Sequence, residues 1–124
     1  MSADERTTTG AGAPLPTRRA KRLTVYAGGR HQVHHRPVAV ELVRQARRAG
    51  LAGATIFRGQ SGFGHSGSVH RTHLVAEDAP ETVVLVDRPE TIDRFVGEMQ
   101  SLLAGLLVVV DEVDIVDPPA RGPR

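Results

Sequence analysis

Residues 57–73 read FRGQSGFGHSGSVHRTH. Four glycines (Gly59, Gly62, Gly64, Gly67) stand there with Arg58, Arg71, His65, His70 and His73. Glycine loses more backbone freedom on ordering than any other residue, so the segment is either costly filler or a site. What flanks it decides the fold. AGATIFRG (52–59) before it and ETVVLVD (81–87) after it read as strands, rich in β-branched residues and bounded by glycine or proline. The connection from Gly59 to Pro80 is about 20 residues, where a hairpin needs two to five.

Working outward, KRLTVYA (21–27) sets Leu23, Val25 and Ala27 alternating with Thr24 and Tyr26, a strand period. GGRHQVHH (28–35) reads as a polar loop. Pro37 suits a first helical turn, where its missing N–H is no loss. Ala39, Leu42, Val43 and Ala46 then recur at helical spacing with Arg44, Arg47 and Arg48 outside, and Gly50 stops the helix. Pro89 opens a second helix with an apolar stripe of Ile92, Phe95, Val96, Met99 and Leu103, ended by Gly105. LLVVVDEVDIV (106–116) is a fourth strand. The order β-α-β-β-α-β predicts an α+β, ferredoxin-like fold: a four-stranded antiparallel sheet, two helices on one face, and a long loop between strands 2 and 3. The uncovered face would expose Val and Leu side chains, which favours burial against another subunit.

The 124 residues suggest one domain. Residues 1–20 have almost no large apolar side chain and read as a disordered tail, residues 21–117 as the folded domain, and residues 118–124 (DPPARGPR from Asp117 on) as a second tail. No apolar segment follows the N-terminal charges as a signal peptide requires, and no cysteine is present, so a cytoplasmic location is expected. The longest apolar run, Leu102–Val110, is far short of the roughly 20 residues that span a bilayer. Net charge is +2, with ten Lys/Arg against three Asp/Glu in residues 1–50 and six against eleven afterwards. That asymmetry reads as a basic arm and a solvated helix face, not as a nucleic-acid footprint.

GFGHSG (62–67) matches G-x-G-x-x-G, with Asp87 at the end of the next strand. A dinucleotide fingerprint needs a helix opening at the third glycine, and SVHRTHLVAED lacks apolar residues at helical spacing. SGFGHS also echoes an RNA-binding motif, but His and Ser stand where that motif has an aromatic and a valine. No P-loop lysine is present. The histidines fall in two clusters, His31, His34 and His35, then His65, His70 and His73, which raises a divalent-metal site as an alternative reading. No catalytic constellation appears, and neither an enzyme nor a resident cofactor is expected.

GLAGATIFRGQSGFG (50–64), His34, His35 and Pro37 before the first helix, and a strand ending in VD (86–87) together resemble the bacterial and archaeal family of small PII-like signalling proteins. The resemblance covers about residues 22–116. It implies a homotrimer with sheets facing inward. It also implies a small effector, often an adenine nucleotide, bound between subunits near the base of the long loop. The loop would then contact a membrane transporter, a channel or an enzyme. The loop has no tyrosine, and Gly28–Arg30 replaces a more acidic or serine-containing turn. Within this frame the candidate ligand-binding residues are Arg58, Gly59, Gly62, Phe63, Gly64, His34 and His35. Arg58 would pair with phosphates, backbone N–H groups around Gly59, Gly62 and Gly64 would cradle them, and Phe63 would stack on a base or anchor the 59–80 loop. A purely structural trimer, its glycines turning a β-arm, is the remaining alternative.

Overall fold

In the computed structural model, which describes residues 14–28, 32–33, 35–60, 62–63, 69–70 and 79–122, the alternation around KRLTVYA becomes a strand with two unlike faces. Leu23, Val25 and Ala27 are buried, while Arg22, Thr24 and Tyr26 turn the other way. The elements run β1 (Thr17–Gly28), β2 (Gln32–Val33), β3 (Arg36–Pro37), α1 (Val38–Arg48), β4 (Thr55–Arg58), β5 (Gly62–Phe63), β6 (Val69–His70), β7 (Pro80–Asp87), α2 (Pro89–Glu98), α3 (Gln100–Leu103) and β8 (Leu107–Val116). The main sheet has the order β4-β7-β1-β8, with every neighbour antiparallel. Each β-α-β unit thus has a strand of the other inserted between its own two, the expected ferredoxin-like arrangement.

The helices cover one face. Leu23 and Val25 of β1 and Val83 and Leu85 of β7 meet Ala39, Leu42 and Ala46 of α1 and Ile92 and Phe95 of α2 in one buried cluster. Each fully buried Val, Leu, Ile or Phe in it contributes about 1.5–3 kcal/mol. Lys21, on the same face of β1, donates to Asp93 of α2 at 2.8 Å and ties strand to helix. Helix α1 ends as its sequence predicts. Gly50 takes φ 83°, its amide donates to the Arg47 carbonyl, and the Leu51 amide donates to the Ala46 carbonyl. That pair of bonds is a Schellman stop, and it needs a residue at ease in the left-handed region. Asp87 closes β7: its carboxylate accepts from the Ala52 amide at 2.9 Å and the Arg88 amide at 2.8 Å.

Four differences from the sequence reading have physical causes. β1 begins at Thr17, four residues inside the segment expected to be tail. There Arg18 pairs with Asp117, Arg22 with Asp111, and the Asp117 amide donates to the Pro16 carbonyl. Charge pairing with β8 holds this end where apolar residues are scarce. Pro37 is not in the first turn of α1 but caps it from outside, at ψ 139°. The polar loop before it contains a two-pair hairpin, Gln32 opposite Pro37 and Val33 opposite Arg36. The second main strand is shorter than predicted, starting at Thr55, because the Ala52 amide is taken by Asp87 rather than by a strand.

The other face of the sheet carries a row across all four strands: Phe57, Thr82, Tyr26 and Leu107. Phe57 is 57% exposed, Leu107 49% and Tyr26 47%. Val109 in the next row is exposed as well. Among the described residues no helix is long and apolar enough to cross a membrane.

Candidate functional site

β4 ends on Arg58, opposite Glu81 of β7. One residue on, the Gly59 amide donates to the Pro80 carbonyl at 2.7 Å. The two ends of the 59–80 connection therefore leave the sheet side by side. A Cβ on Gly59 would lie 2.9 Å from Pro80 Cγ. The close approach of the two chains thus requires glycine here.

The alternation that buries Val83 and Leu85 carries Glu81 inward with them, to 3% exposure. Arg58 Nη2 stands 3.2 Å from Glu81 Oε2, and the arginine side chain remains 55% exposed. The second oxygen, Oε1, is buried and has no hydrogen-bond partner among the described residues. Leaving a buried acceptor unanswered costs about 1–3 kcal/mol, and more when it is charged. The root of the loop is thus a buried carboxylate, half satisfied by a half-exposed guanidinium.

A second cluster stands at the same end of the sheet. β1 stops at Gly28 opposite Pro80, and the chain then reaches α1 through the β2–β3 hairpin. His35, in the turn of that hairpin, takes φ 64°, a left-handed conformation that side-chain-bearing residues rarely adopt. Arg36 fastens the hairpin to the helix. Arg36 Nη1 and Arg44 Nη1 both donate to Glu41 Oε1, at 3.2 and 3.0 Å, and Gln45 Nε2 donates to Oε2 at 2.8 Å. Glu41 is nearly buried, yet both its oxygens are answered. Beside it opens a pocket of ≈ 290 Å³, with Val33, Gln45, Glu98, Met99 and Leu102 in its walls.

Of the candidates named from the sequence, Arg58 and Gly59 meet at the loop root, and His35 lies in the hairpin at the same sheet end. Gly62 and Phe63 form β5, their backbones opposite His70 and Val69 of β6. His34 and Gly64 lie outside the described residues, as do His31, His65 and His73. In this structure the Gly59 amide, expected among the cradle donors, donates to the Pro80 carbonyl. Among the described residues no group of three His, Cys, Asp or Glu is placed to hold a metal ion.

Two acids escaped the sequence reading. Glu81 shares the odd-numbered phase of Val83 and Leu85, so the strand period already marked it as inward. Glu41 stands three and four residues before Arg44 and Gln45, the spacing at which helical side chains meet. Chemically, the loop root offers a guanidinium that is half exposed and always charged. That is the equipment for holding an oxyanion.

Comparison with known proteins gives three findings. The DUF190 family model, described as an uncharacterized ACR, matches residues 20–115. A UPF0166 protein of Aquifex aeolicus is 26% identical over 98 residues, covering 77% of this chain and 92% of its own. Two solved structures share the fold. One is CPII of Thiomonas intermedia K12, a nitrogen regulatory PII-like protein bound to ADP, AMP and bicarbonate. It has a TM-score of 0.63 and 23% identity, over 84% of this chain and 94% of that one. The other, from Thermus thermophilus, is described as PII-like in signalling. It has a TM-score of 0.62 and 18% identity, over 82% and 94% of the two chains.

Proposed function

The chain belongs to the DUF190 family, and we propose that it works as a PII-like regulator: it binds a small anionic effector at the root of the 59–80 loop and reports the binding through that loop. The observation that carries this reading is the half-exposed Arg58 guanidinium, fixed by Glu81 where both ends of the loop leave the sheet. Its charge suits the phosphates of an adenine nucleotide, and CPII, of the same fold, was solved with ADP and AMP. An anion bound there touches the two strand ends that set the loop's path, so it can favour one loop conformation over another.

The working unit in this reading is a homotrimer. Phe57, Tyr26, Leu107 and Val109 present an apolar surface on the open face of the sheet, and two further copies would cover it. The loop then meets a partner, either a transporter or channel at a membrane or an enzyme. The protein itself turns over nothing, and it acts in the cytoplasm.

Calorimetric titration with ADP tests the reading. The wild type should bind, and Arg58→Gln, which removes the charge but keeps a donor for Glu81, should lose at least about tenfold in affinity. Circular dichroism of the variant controls for folding. Equal affinity in the two proteins would sink the assignment of Arg58, and nucleotide hydrolysis on prolonged incubation would overturn the non-catalytic reading.

A further inference from the structure

A cleft of ≈ 290 Å³ opens where three elements meet: Val33 comes from the β2–β3 hairpin, Glu41 from α1, and Glu98, Met99, Ser101 and Leu102 from the α2–α3 junction. Val33, Met99 and Leu102 are half-buried and apolar. Among the described residues two carboxylates line the cleft, and no lysine or arginine does. The charge of Glu41 is met, since Arg36 and Arg44 both donate to its Oε1. Glu98 is exposed and has no ion-pair partner among the described residues. It also ends α2, whose last turn holds no basic residue. The carbonyl end of a helix is already partly negative, so a carboxylate there adds to the charge instead of balancing it.

An apolar wall beside an uncompensated anion suits a guest that is greasy along its length and positive at one end. We infer that this cleft binds a small organic cation, an alkylammonium whose chain lies on Val33, Met99 and Leu102 and whose head meets Glu98. The ammonium brings three donors and the positive charge that the end of α2 lacks. The volume stands at the small end of ligand pockets, which run from about 300 to 1,000 Å³, so the guest is a short chain. The site differs from the anion site at Arg58 in charge and in every residue, and it does not rest on that reading.

Hexylammonium, hexanol and hexanoate test it, because they share one chain and differ in the charge of the head. Each is titrated into the intact protein near neutral pH at matched ionic strength, and amide NMR signals are followed. Hexylammonium should shift Val33, Ser101 and Leu102 saturably. It should bind about threefold to fivefold more tightly than hexanol, the worth of an exposed ion pair, and at least about tenfold more tightly than hexanoate, which Glu98 repels. The protein's net charge of +2 would favour the opposite order, so the preference has to come from the cleft. Glu98→Gln keeps the shape and removes the charge, and it should bring hexylammonium down to the level of hexanol. Ser101→Trp crowds the cleft from an exposed position and should abolish the saturable shifts. Equal affinities for hexylammonium and hexanoate or hexanol, or saturable binding of none, overturn the inference. So does a Glu98→Gln or Ser101→Trp protein that binds hexylammonium as the wild type does. Should either variant fail to fold, the order of the three ligands on the wild type decides the matter.

Discussion

Arg58 and Glu81 form an ion pair of very unequal exposure, the arginine side chain 55% accessible and the glutamate 3%, with Nη2 and Oε2 3.2 Å apart. The inequality makes the two deletions different. Arg58→Ala takes the guanidinium away from a buried carboxylate and should cost about 2 kcal/mol, reduced from the value for a wholly buried pair because the arginine is half in water. Glu81→Leu fills a similar volume, removes the unanswered Oε1, and lets the Arg58 side chain turn to solvent. It should fall within about 1 kcal/mol of the wild type, or be more stable. Urea unfolding followed by circular dichroism ranks them, and a leucine variant less stable than the alanine variant would contradict this account of the pair.

Gly59 is required by contact rather than by an unusual backbone angle. A methyl group there would sit 2.9 Å from Pro80 Cγ, and the Gly59-to-Pro80 hydrogen bond prevents the strands from separating to make room. Gly59→Ala should therefore destabilise by about 1–3 kcal/mol, as overpacking does. Pro80→Ala removes the offending carbon, so the double variant should recover most of that loss. Melting temperatures of the four proteins test the coupling. Additive effects would mean that some other feature of Gly59 matters.

The main elements were readable because their signals are local. Alternation marked β1, an apolar run marked β7, spacing marked the stripe of Ile92 and Phe95, and Gly50 and Gly105 marked stops where φ is 83° and 80°. The strand order followed from the order of elements. What escaped depends on partners distant in sequence. Arg18 and Arg22 extend β1 into the expected tail because Asp117 and Asp111 face them from the far end of the chain. Ala52 leaves the second strand because Asp87, 35 residues on, takes its amide. At the site, Arg58 was recognisable as a cation beside a glycine-rich loop, but its Glu81 partner lies on the neighbouring strand, on the far side of that loop in sequence. Composition cannot show which of its donors are already in use.

Lys21 offers a prediction in pH. Its ammonium donates to Asp93 at 2.8 Å. That bond, opposed by burial and helped by the charges of Asp93 and Glu112, raises the lysine above its ordinary 10.5. A folded-state value raised above the unfolded one means that the stabilisation is complete below 10.5 and is lost as pH rises through the raised value. The wild type should therefore lose melting temperature more steeply above pH 10.5 than Lys21→Met does, with the two curves running parallel at lower pH. Parallel curves throughout would show that the β1–α2 tie contributes nothing.

The open face of the sheet yields the prediction on which assembly depends. Phe57, Tyr26 and Leu107 share one row and Val109 lies in the next, each at least 40% exposed, while Arg22 and Asp111 pair at 2.7 Å two rows further along. A row of large apolar side chains beside a satisfied ion pair resembles an interface, where apolar groups lie inside and charges at the rim. Under threefold symmetry a single substitution appears three times around the axis. Leu107→Lys with Val109→Lys would thus place six ammonium groups against the shared core, where their desolvation and mutual repulsion outweigh the packing. The fold of each copy should survive, because neither residue belongs to the buried cluster between sheet and helices. Light scattering on the eluting protein should give three chain masses for the wild type and one for the double variant, with circular dichroism unchanged. A wild type that elutes at one chain mass at micromolar concentration would leave the apolar row without its proposed partner.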